Sequence, residues 1–251
     1  HEVTKIDRAN RTVTVRDLDT GSESQTEYDV LILSPGASTI IPPLPGIERA
    51  LPLRNVEDVD RLFERIEQQP KHATVIGGGF IGLELASSAA KLGCQVAVIE
   101  AQPRILLRGV PEEIAAIVAA RHLEAGVEII TSARIAEIAA DGVILADGRR
   151  IAADILIAGI GAAPATELGE RAGLAMDNGI DCDDHMRTSD PDIYAAGDCC
   201  SFPHPVFGGR RLRMEAWRSA QDQAAIATAN MAGGDRRFEA VPWFWSDQYD
   251  L

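Results

Sequence analysis

The stretch from His72 to Glu100 constrains the fold more than any other part of this chain. A short apolar strand, Ala73 to Ile76, runs into Gly77-Gly-Gly-Phe-Ile-Gly82. An Ala/Leu-rich helix follows, ended by Gly93, and a second strand closes on a single acid, Glu100. This is a βαβ unit with the glycine spacing of a dinucleotide fingerprint, and each part has a physical job. Gly77 permits a tight turn, Gly79 lets backbone approach a pyrophosphate, and Gly82 lets helix lie close on strand. Phe80 and Ile81 fill the two variable positions. The helix start offers open N–H groups and the positive end of its dipole to the phosphates. A glycine-rich turn without a ligand would account for the glycines alone. Strand, helix, second strand and terminal acid together select a bound dinucleotide.

Which dinucleotide binds is a question of charge. Glu100 stands where a carboxylate can accept both hydroxyls of an adenine ribose and would repel a 2′-phosphate, so NAD(H) is favoured over NADP. Arg104 and Arg108 lie just beyond, either as ordinary surface arginines or as contacts to the adenosine side. Arg108 is kept as a candidate NAD residue, with Gly159 and Gly161 at the end of a later apolar strand.

At 251 residues the chain can bury a sizeable core and form more than one domain. A hydrophobic share of 46% and a charged share of 25% are ordinary for a soluble globular protein. No apolar run approaches the ~20 residues needed to span a bilayer. The net charge of −14 argues against nucleic acid or an anionic membrane as the main partner. The four cysteines (Cys94, Cys182, Cys199, Cys200) form no CxxC pair and read as buried or idle thiols in a reducing cytoplasm. His185 and His204 are isolated and read as surface or loop residues rather than metal ligands, so no metal site is expected.

The chain also repeats itself. Ala133 to Gly161 contains short strand-like pieces broken by the turn dipeptides Asp141-Gly142 and Asp147-Gly148, and ends in an apolar strand running to Gly161. Val3 to Asp7, Arg11 to Asp17 and Gln25 to Gly36 follow the same order, also ending in an apolar strand and a glycine. The pattern predicts two copies of one architecture: fingerprint unit, β-meander, closing strand. By that logic the fingerprint of the first copy lies upstream of His1, and the chain is a fragment. Between the copies, Ile41-Pro-Pro-Leu-Pro-Gly46 is a stiff extended crossover. Asn55 then caps a helix whose apolar face is Val56, Val59, Leu62, Phe63 and Ile66. A further helix has Pro111 in its first turn and stops at Gly126.

A second informative stretch is Thr188-Ser-Asp-Pro-Asp-Ile-Tyr-Ala-Ala-Gly197-Asp198. A short buried strand delivers a glycine and then a carboxylate to its C-terminal edge, where open α/β sheets bind ligands. A simple Gly-Asp turn is the competing reading.

Taken together, GGGFIGLELA with Glu100 and TSDPDIYAAGD resemble the FAD-dependent pyridine nucleotide-disulfide oxidoreductases. Met214 to Gln223 and Pro242-Trp-Phe-Trp-Ser-Asp-Gln248 are most similar to the NADH:ferredoxin, rubredoxin and putidaredoxin reductases of oxygenase systems. The resemblance covers essentially the whole chain. It implies an α/β fold of two Rossmann-like dinucleotide-binding domains, for FAD and NAD, each with a β-meander. The first would be incomplete and a C-terminal domain missing. Residues 1–54 and 176–240 would form the FAD-binding domain, residues 55–175 the NAD(H)-binding domain, and residues 241–251 the start of a C-terminal interface domain. The resemblance implies that Asp198, after Gly197, binds the ribityl chain of FAD. It places Ser34, Pro35 and Gly36 beside the same cofactor, points the helix starting near Trp217 at the flavin pyrimidine carbonyl, and sets Glu84 near the nicotinamide as the catalytic candidate. Trp243 and Trp245 would lie near the flavin or a partner's docking face, or form an aromatic clamp between domains.

The implied activity is hydride transfer from NADH to FAD and onward delivery of electrons to a ferredoxin or rubredoxin-type iron–sulfur protein. Arg210, Arg211, Arg213, Arg218, Arg236 and Arg237 are the candidate positive face for an acidic partner, with a solvated loop as the competing reading. One departure matters. Ser34-Pro-Gly-Ala-Ser38 looks closer to coenzyme A-disulfide reductases and NADH oxidases, whose redox cysteine lies in a part of the first FAD unit that this chain does not contain. A thiol, peroxide or oxygen reductase is therefore the second reading, and a non-catalytic NAD-sensing flavoprotein the third. The oligomeric state is not legible from these residues.

Overall fold

A computed structural model describes all residues from His1 to Leu251. The chain folds into two compact units, one formed by His1–Ser38 and Ala163–Phe244, the other by Thr39–Ala162 and Trp245–Leu251. The crossings at 38–39 and 162–163 fall earlier than the expected 54–55 and 175–176, and the first difference has a physical reason. The proline-rich crossover is fastened to the meander of the second unit, where Ile138 N–H donates to Pro45 O at 2.9 Å. A Cβ on Gly46 would lie 2.0 Å from Ile138 O, so the close approach requires glycine. The C-terminal segment likewise divides at 244–245 rather than starting as one piece at 241.

The second unit is built on a five-stranded, all-parallel sheet. Its strands run in the order Leu51–Pro52, Ile155–Ala158, His72–Ile76, Gln95–Ile99, Glu128–Ile130. The central strands are near-continuous apolar runs because both faces are covered. On one face the fingerprint helix Phe80–Lys91 and the helix Glu112–Glu124 bring Leu83, Ala86 and Ala115 against Val75, Val98 and Ile157. On the other, the antiparallel meander Ile135–Ala139, Gly142–Leu145, Arg150–Ala152 packs Ile138, Val143 and Leu145 on Ile76, Ile99, Ile130 and Leu156. From the fingerprint strand the chain moves outward to Gln95–Ile99 and Glu128–Ile130, then returns to the opposite side at Ile155–Ala158. The strand order therefore reverses beside Ile76, which is the topological switch point where ligands bind in such sheets.

Asn55 caps the helix Val56–Ile66 in a reciprocal capping box with Asp58. The buried stripe of that helix is narrower than expected: Leu62 and Ile66 pack on the core, whereas Val56 and Phe63 face solvent. Pro111 occupies the N-cap rather than the first turn of its helix. Gly93 and Gly126 end their helices at φ +89° and +82°, the left-handed conformation that glycine adopts without strain.

The first unit carries a matching meander, Glu2–Asp7, Thr12–Arg16, Glu23–Glu27. The repeat extends to detail: the first strand of each meander has a register shift near its start, between Val3 and Lys5 in one and Ile135 and Glu137 in the other. The closing strand Leu31–Leu33 pairs in parallel with Ile193–Ala195. A second small sheet combines Ile180–Asp181, Cys200–His204 and Arg210–Arg213. The helix Trp217–Met231 packs nearby, and the core contains Leu33, Met186, Ile193, Phe202 and Phe238. No helix is long and apolar enough to cross a membrane.

Candidate functional site

In the second unit, three glycines interlock at the switch point. A Cβ on Gly77 would sit 2.3 Å from Gly159 O, and one on Gly82 would sit 2.1 Å from Gly77 O. Gly77 also holds φ +104°. These positions exclude any side chain, because helix, fingerprint strand and the strand ending at Gly159 touch backbone to backbone. Gly79 is different in kind. A Cβ there would meet nothing within 4 Å, and as N-cap it offers no side-chain cap. The helix start therefore has room beside Gly79 and no side-chain cap, an arrangement suited to a pyrophosphate.

Glu100 closes the neighbouring strand. Its Oε2 accepts from Gly78 N–H at 2.7 Å and its Oε1 from Gln102 N–H at 2.8 Å. Both bonds fix the carboxylate beside the glycine turn, and a carboxylate has about four acceptor sites, so capacity for two hydroxyls remains. Arg104 is turned into its own loop, donating to the carbonyls of Ile105, Leu107 and Val110. Arg108 is exposed, and its guanidinium lies 3.8 Å from where a Gly161 Cβ would be. The ring of Phe80 packs where a Gly109 side chain would otherwise project, while Ile81 is exposed. The fold thus gathers Gly77, Gly79, Gly82, Glu100, Arg108, Gly159 and Gly161 at one sheet edge. Glu84, on the fingerprint helix, is half-buried. It pairs with the hydroxyl of Ser246 at 2.5 Å rather than with a basic residue.

In the first unit the parallel pair Leu31–Leu33 and Ile193–Ala195 ends in register, with Ala196 N–H donating to Leu33 O at 3.0 Å. Ser34-Pro35-Gly36 and Gly197-Asp198 therefore leave the same edge side by side. Gly197 takes φ +90°, and a Cβ on it would lie 3.7 Å from the Ala220 methyl. Its N–H donates to Gln223 Oε1 at 2.6 Å, the Cys200 thiol donates to the same oxygen, and Gln223 Nε2 donates to Ser219. Fully buried Gln223 thereby ties the Gly197 turn to the helix Trp217–Met231, whose N-cap Ala216 offers no side-chain cap. Trp217 begins that helix and is 65% exposed. A carboxylate, a helix start without a side-chain cap and a glycine held at positive φ suit a polyhydroxylated, partly anionic ligand.

Sequence reasoning missed Gln223, His122, Ser246 and Gln248, and misplaced two histidines. His204 is fully buried among Phe202, Phe207 and Phe238, with neither ring nitrogen hydrogen-bonded. Alternation along Cys200–His204 puts it on the same inward face as Phe202, a period-2 signal present in the sequence. His185 is not isolated: its Nδ1 meets Asp184 at 2.8 Å and its Nε2 Asp235 at 3.0 Å. With Asp183 it gathers potential metal ligands within 4.8 Å, but Asp183 already accepts from the N–H groups of His185 and Arg187, so the cluster reads as a loop tie. Burial pushes the Cys199 thiol up to about 11, and a hydrogen bond with Cys182, then burial, pushes Cys200 upward as well, against redox reactivity at neutral pH.

The expected positive face is largely neutralised within the chain. Arg211 pairs with Asp177 and Asp181, Arg213 with Glu215, Arg218 with Asp222 and Arg237 with Asp184.

Comparison with known proteins adds identity to this geometry. The sequence profile described as pyridine nucleotide-disulphide oxidoreductase matches residues 1–224. The chain is 38% identical over 253 residues to the anthranilate 1,2-dioxygenase system ferredoxin–NAD(+) reductase component of Burkholderia cepacia, covering 98% of this chain and 61% of that protein. Among solved structures it is similar to the ferredoxin reductase for the CYP199A2 system from Rhodopseudomonas palustris, with TM-score 0.92 and 37% identity over 99% of this chain and 62% of the other. It is also similar to an NAD-dependent persulfide reductase from A. fulgidus, with TM-score 0.89 and 34% identity over 96% of this chain and 45% of the other. The chain thus spans about three fifths of the length of these ferredoxin reductases and less than half of the persulfide reductase.

Proposed function

Because the chain belongs to the pyridine nucleotide-disulphide oxidoreductase family, we propose that the protein is an NADH-dependent FAD reductase that delivers electrons to a ferredoxin or rubredoxin-type iron–sulfur protein. In this reading Thr39–Ala162 with Trp245–Leu251 holds NAD(H), and His1–Ser38 with Ala163–Phe244 holds FAD. The observation that carries it is the open, uncapped start of the fingerprint helix at Gly79, flanked by the fixed Glu100 carboxylate. Gly77, Gly82 and Gly159 bring the backbone close, Phe80 and Ile81 begin the phosphate-facing turn, and Arg108 with Gly161 borders the same edge. Glu84 is the acid nearest the reacting end. Asp198 accepts from ribityl hydroxyls, Ser34, Pro35, Gly36 and Gly197 shape the flavin side, and the helix at Trp217 stabilises negative charge on the ring. Bound together, the two groups supply two-electron hydride uptake and single-electron release, which an iron–sulfur acceptor requires.

Coenzyme choice tests the nucleotide site. With Arg104 held by loop carbonyls, Glu100 is the discriminating charge. Glu100→Arg should weaken NAD+ binding and improve NADP+ binding, shifting their affinity ratio by about 100-fold (~2.7 kcal/mol) in calorimetric titration. An unchanged ratio refutes the ribose assignment. NADH oxidation by the full-length protein with a [2Fe–2S] ferredoxin, compared with a coenzyme A disulfide or persulfide, tests the acceptor. The second reading, a thiol or persulfide reductase, is favoured by the similarity to the persulfide reductase and by the Ser-Pro-Gly-Ala-Ser segment. Turnover with the sulfur acceptor alone would replace the first reading.

A further inference from the structure

Glu84 is held by the far end of its own chain. Ser246 Oγ donates to Glu84 Oε1 at 2.5 Å, and Gln248 Nε2 donates to Ser246 Oγ at 3.0 Å. Gln248 Oε1 lies 2.9 Å from His122 Nε2, and the Tyr249 hydroxyl lies 3.4 Å from His122 Nδ1. His122 is fully buried and Gln248 is 4% exposed. Donor chemistry sets one direction for the whole chain of bonds. A carboxylate only accepts, so Ser246 donates to it and takes the Gln248 amide hydrogen on its lone pair. The Gln248 carbonyl then faces His122, which must carry its proton on Nε2 and leave Nδ1 to accept from Tyr249. A neutral imidazole satisfies every link, and burial holds His122 below its ordinary value.

The segment Ser246–Asp250 is further pinned to the helix Glu112–Glu124. The Tyr249 ring stands edge-on to His122 at 4.9 Å, Arg121 lies 4.6 Å over that ring, and Arg121 pairs with Asp250 at 2.5 Å. All of this anchoring ends in a single hydroxyl aimed at one oxygen of Glu84. A half-buried acid needing only charge balance would be served by a lysine or arginine. A fixed neutral donor leaves the carboxylate its charge and sets its rotation, with Oε2 left to accept from a ligand.

We propose that Ser246, locked through Gln248 to buried His122, is a positioning residue that orients the Glu84 carboxylate toward an amide donor of the bound dinucleotide. This rests on the reading that the unit holds NAD(H) with Glu84 near the nicotinamide.

The test uses Ser246→Ala, Ser246→Thr, Glu84→Gln and the Ser246→Ala/Glu84→Gln double variant. NAD+ affinity is read by calorimetry, and KM and kcat for NADH are read on the full-length FAD-loaded protein. Ser246→Ala should weaken NAD+ binding and raise KM by about 10-fold, equivalent to one lost hydrogen bond, with a smaller change in kcat. Ser246→Thr should restore both, and the double variant should be no worse than Glu84→Gln alone. Unchanged affinity and KM in Ser246→Ala beside an impaired Glu84→Gln would overturn the positioning role alone. So would losses that multiply in the double variant. If Glu84→Gln itself binds and turns over nucleotide like the parent, the proposal falls together with the placement of Glu84 at the nucleotide.

Discussion

Gly77 and Gly79 sit two residues apart and do opposite things. Gly77→Ala forces a left-handed φ on alanine and drives its methyl into Gly159 O, which should cost about 3 kcal/mol or more in denaturant unfolding. Gly79→Ala meets nothing within 4 Å at an ordinary φ of −83°, so unfolding should change by under about 1 kcal/mol. Its methyl instead occupies the approach to the helix start, and NAD+ affinity should fall by about 10-fold or more, a loss above ~1.4 kcal/mol. Equal effects of the two variants on folding would contradict the division of labour. His204 makes a different prediction. Burial without hydrogen bonds holds it below the ordinary value of 6.5, so the unfolded chain binds a proton that the folded one does not. Its contribution to stability is intact above the unfolded value and declines as pH drops below about 6.5. His204→Leu should flatten that acid limb while shifting stability at pH 8 by about 1 kcal/mol or less. His122, also buried and depressed, leaves a residual slope. An acid limb unaltered by His204→Leu would count against this account.

The elements that carry the sites are held by bonds with no periodic signature. The helix Trp217–Met231 was implied by the family resemblance, yet its relation to Gly197 depends on Gln223. Removing that amide leaves the buried Gly197 N–H and the Cys200 thiol without their acceptor. Gln223→Ala should cost about 2 kcal/mol, measured by urea unfolding, and should loosen flavin in the full-length protein, measured as released fluorescence. Ser219→Ala, which removes only a partner of the Gln223 amide, should cost less. Reversal of that order would mean that the helix is anchored elsewhere. The helix Val56–Ile66 teaches the converse: its cap was readable from Asn55, but apolar spacing overcounted its buried face, because Val56 and Phe63 have no neighbouring layer to cover them.

At the scale of the molecule, each unit is assembled from segments distant in sequence, and a ligand should reveal this. Hydrogen exchange with saturating NAD+ should show added protection at His72–Ile76, Phe80–Lys91 and Gln95–Ile99. Protection at Ile180–Asp181, Cys200–His204 and Arg210–Arg213 should stay unchanged. Protection spread evenly over both sets would contradict nucleotide binding by the Thr39–Ala162 unit.

The sequence by itself determined the βαβ unit, the meander repeat, the helix stops at Gly93 and Gly126, and the carboxylates Glu100 and Asp198. Those features are local: strand and helix periods, glycine φ and turn dipeptides are properties of neighbouring residues. Only the tertiary structure decided that Gly159 closes on Gly77, that Gln223 holds Gly197, and that Ser246 and Gln248 reach Glu84 and His122. It also decided that Arg211 and Arg213 are paired within the chain. A hydrogen bond between side chains more than a hundred residues apart depends on how the strands are ordered in the sheets, and no local pattern records that order.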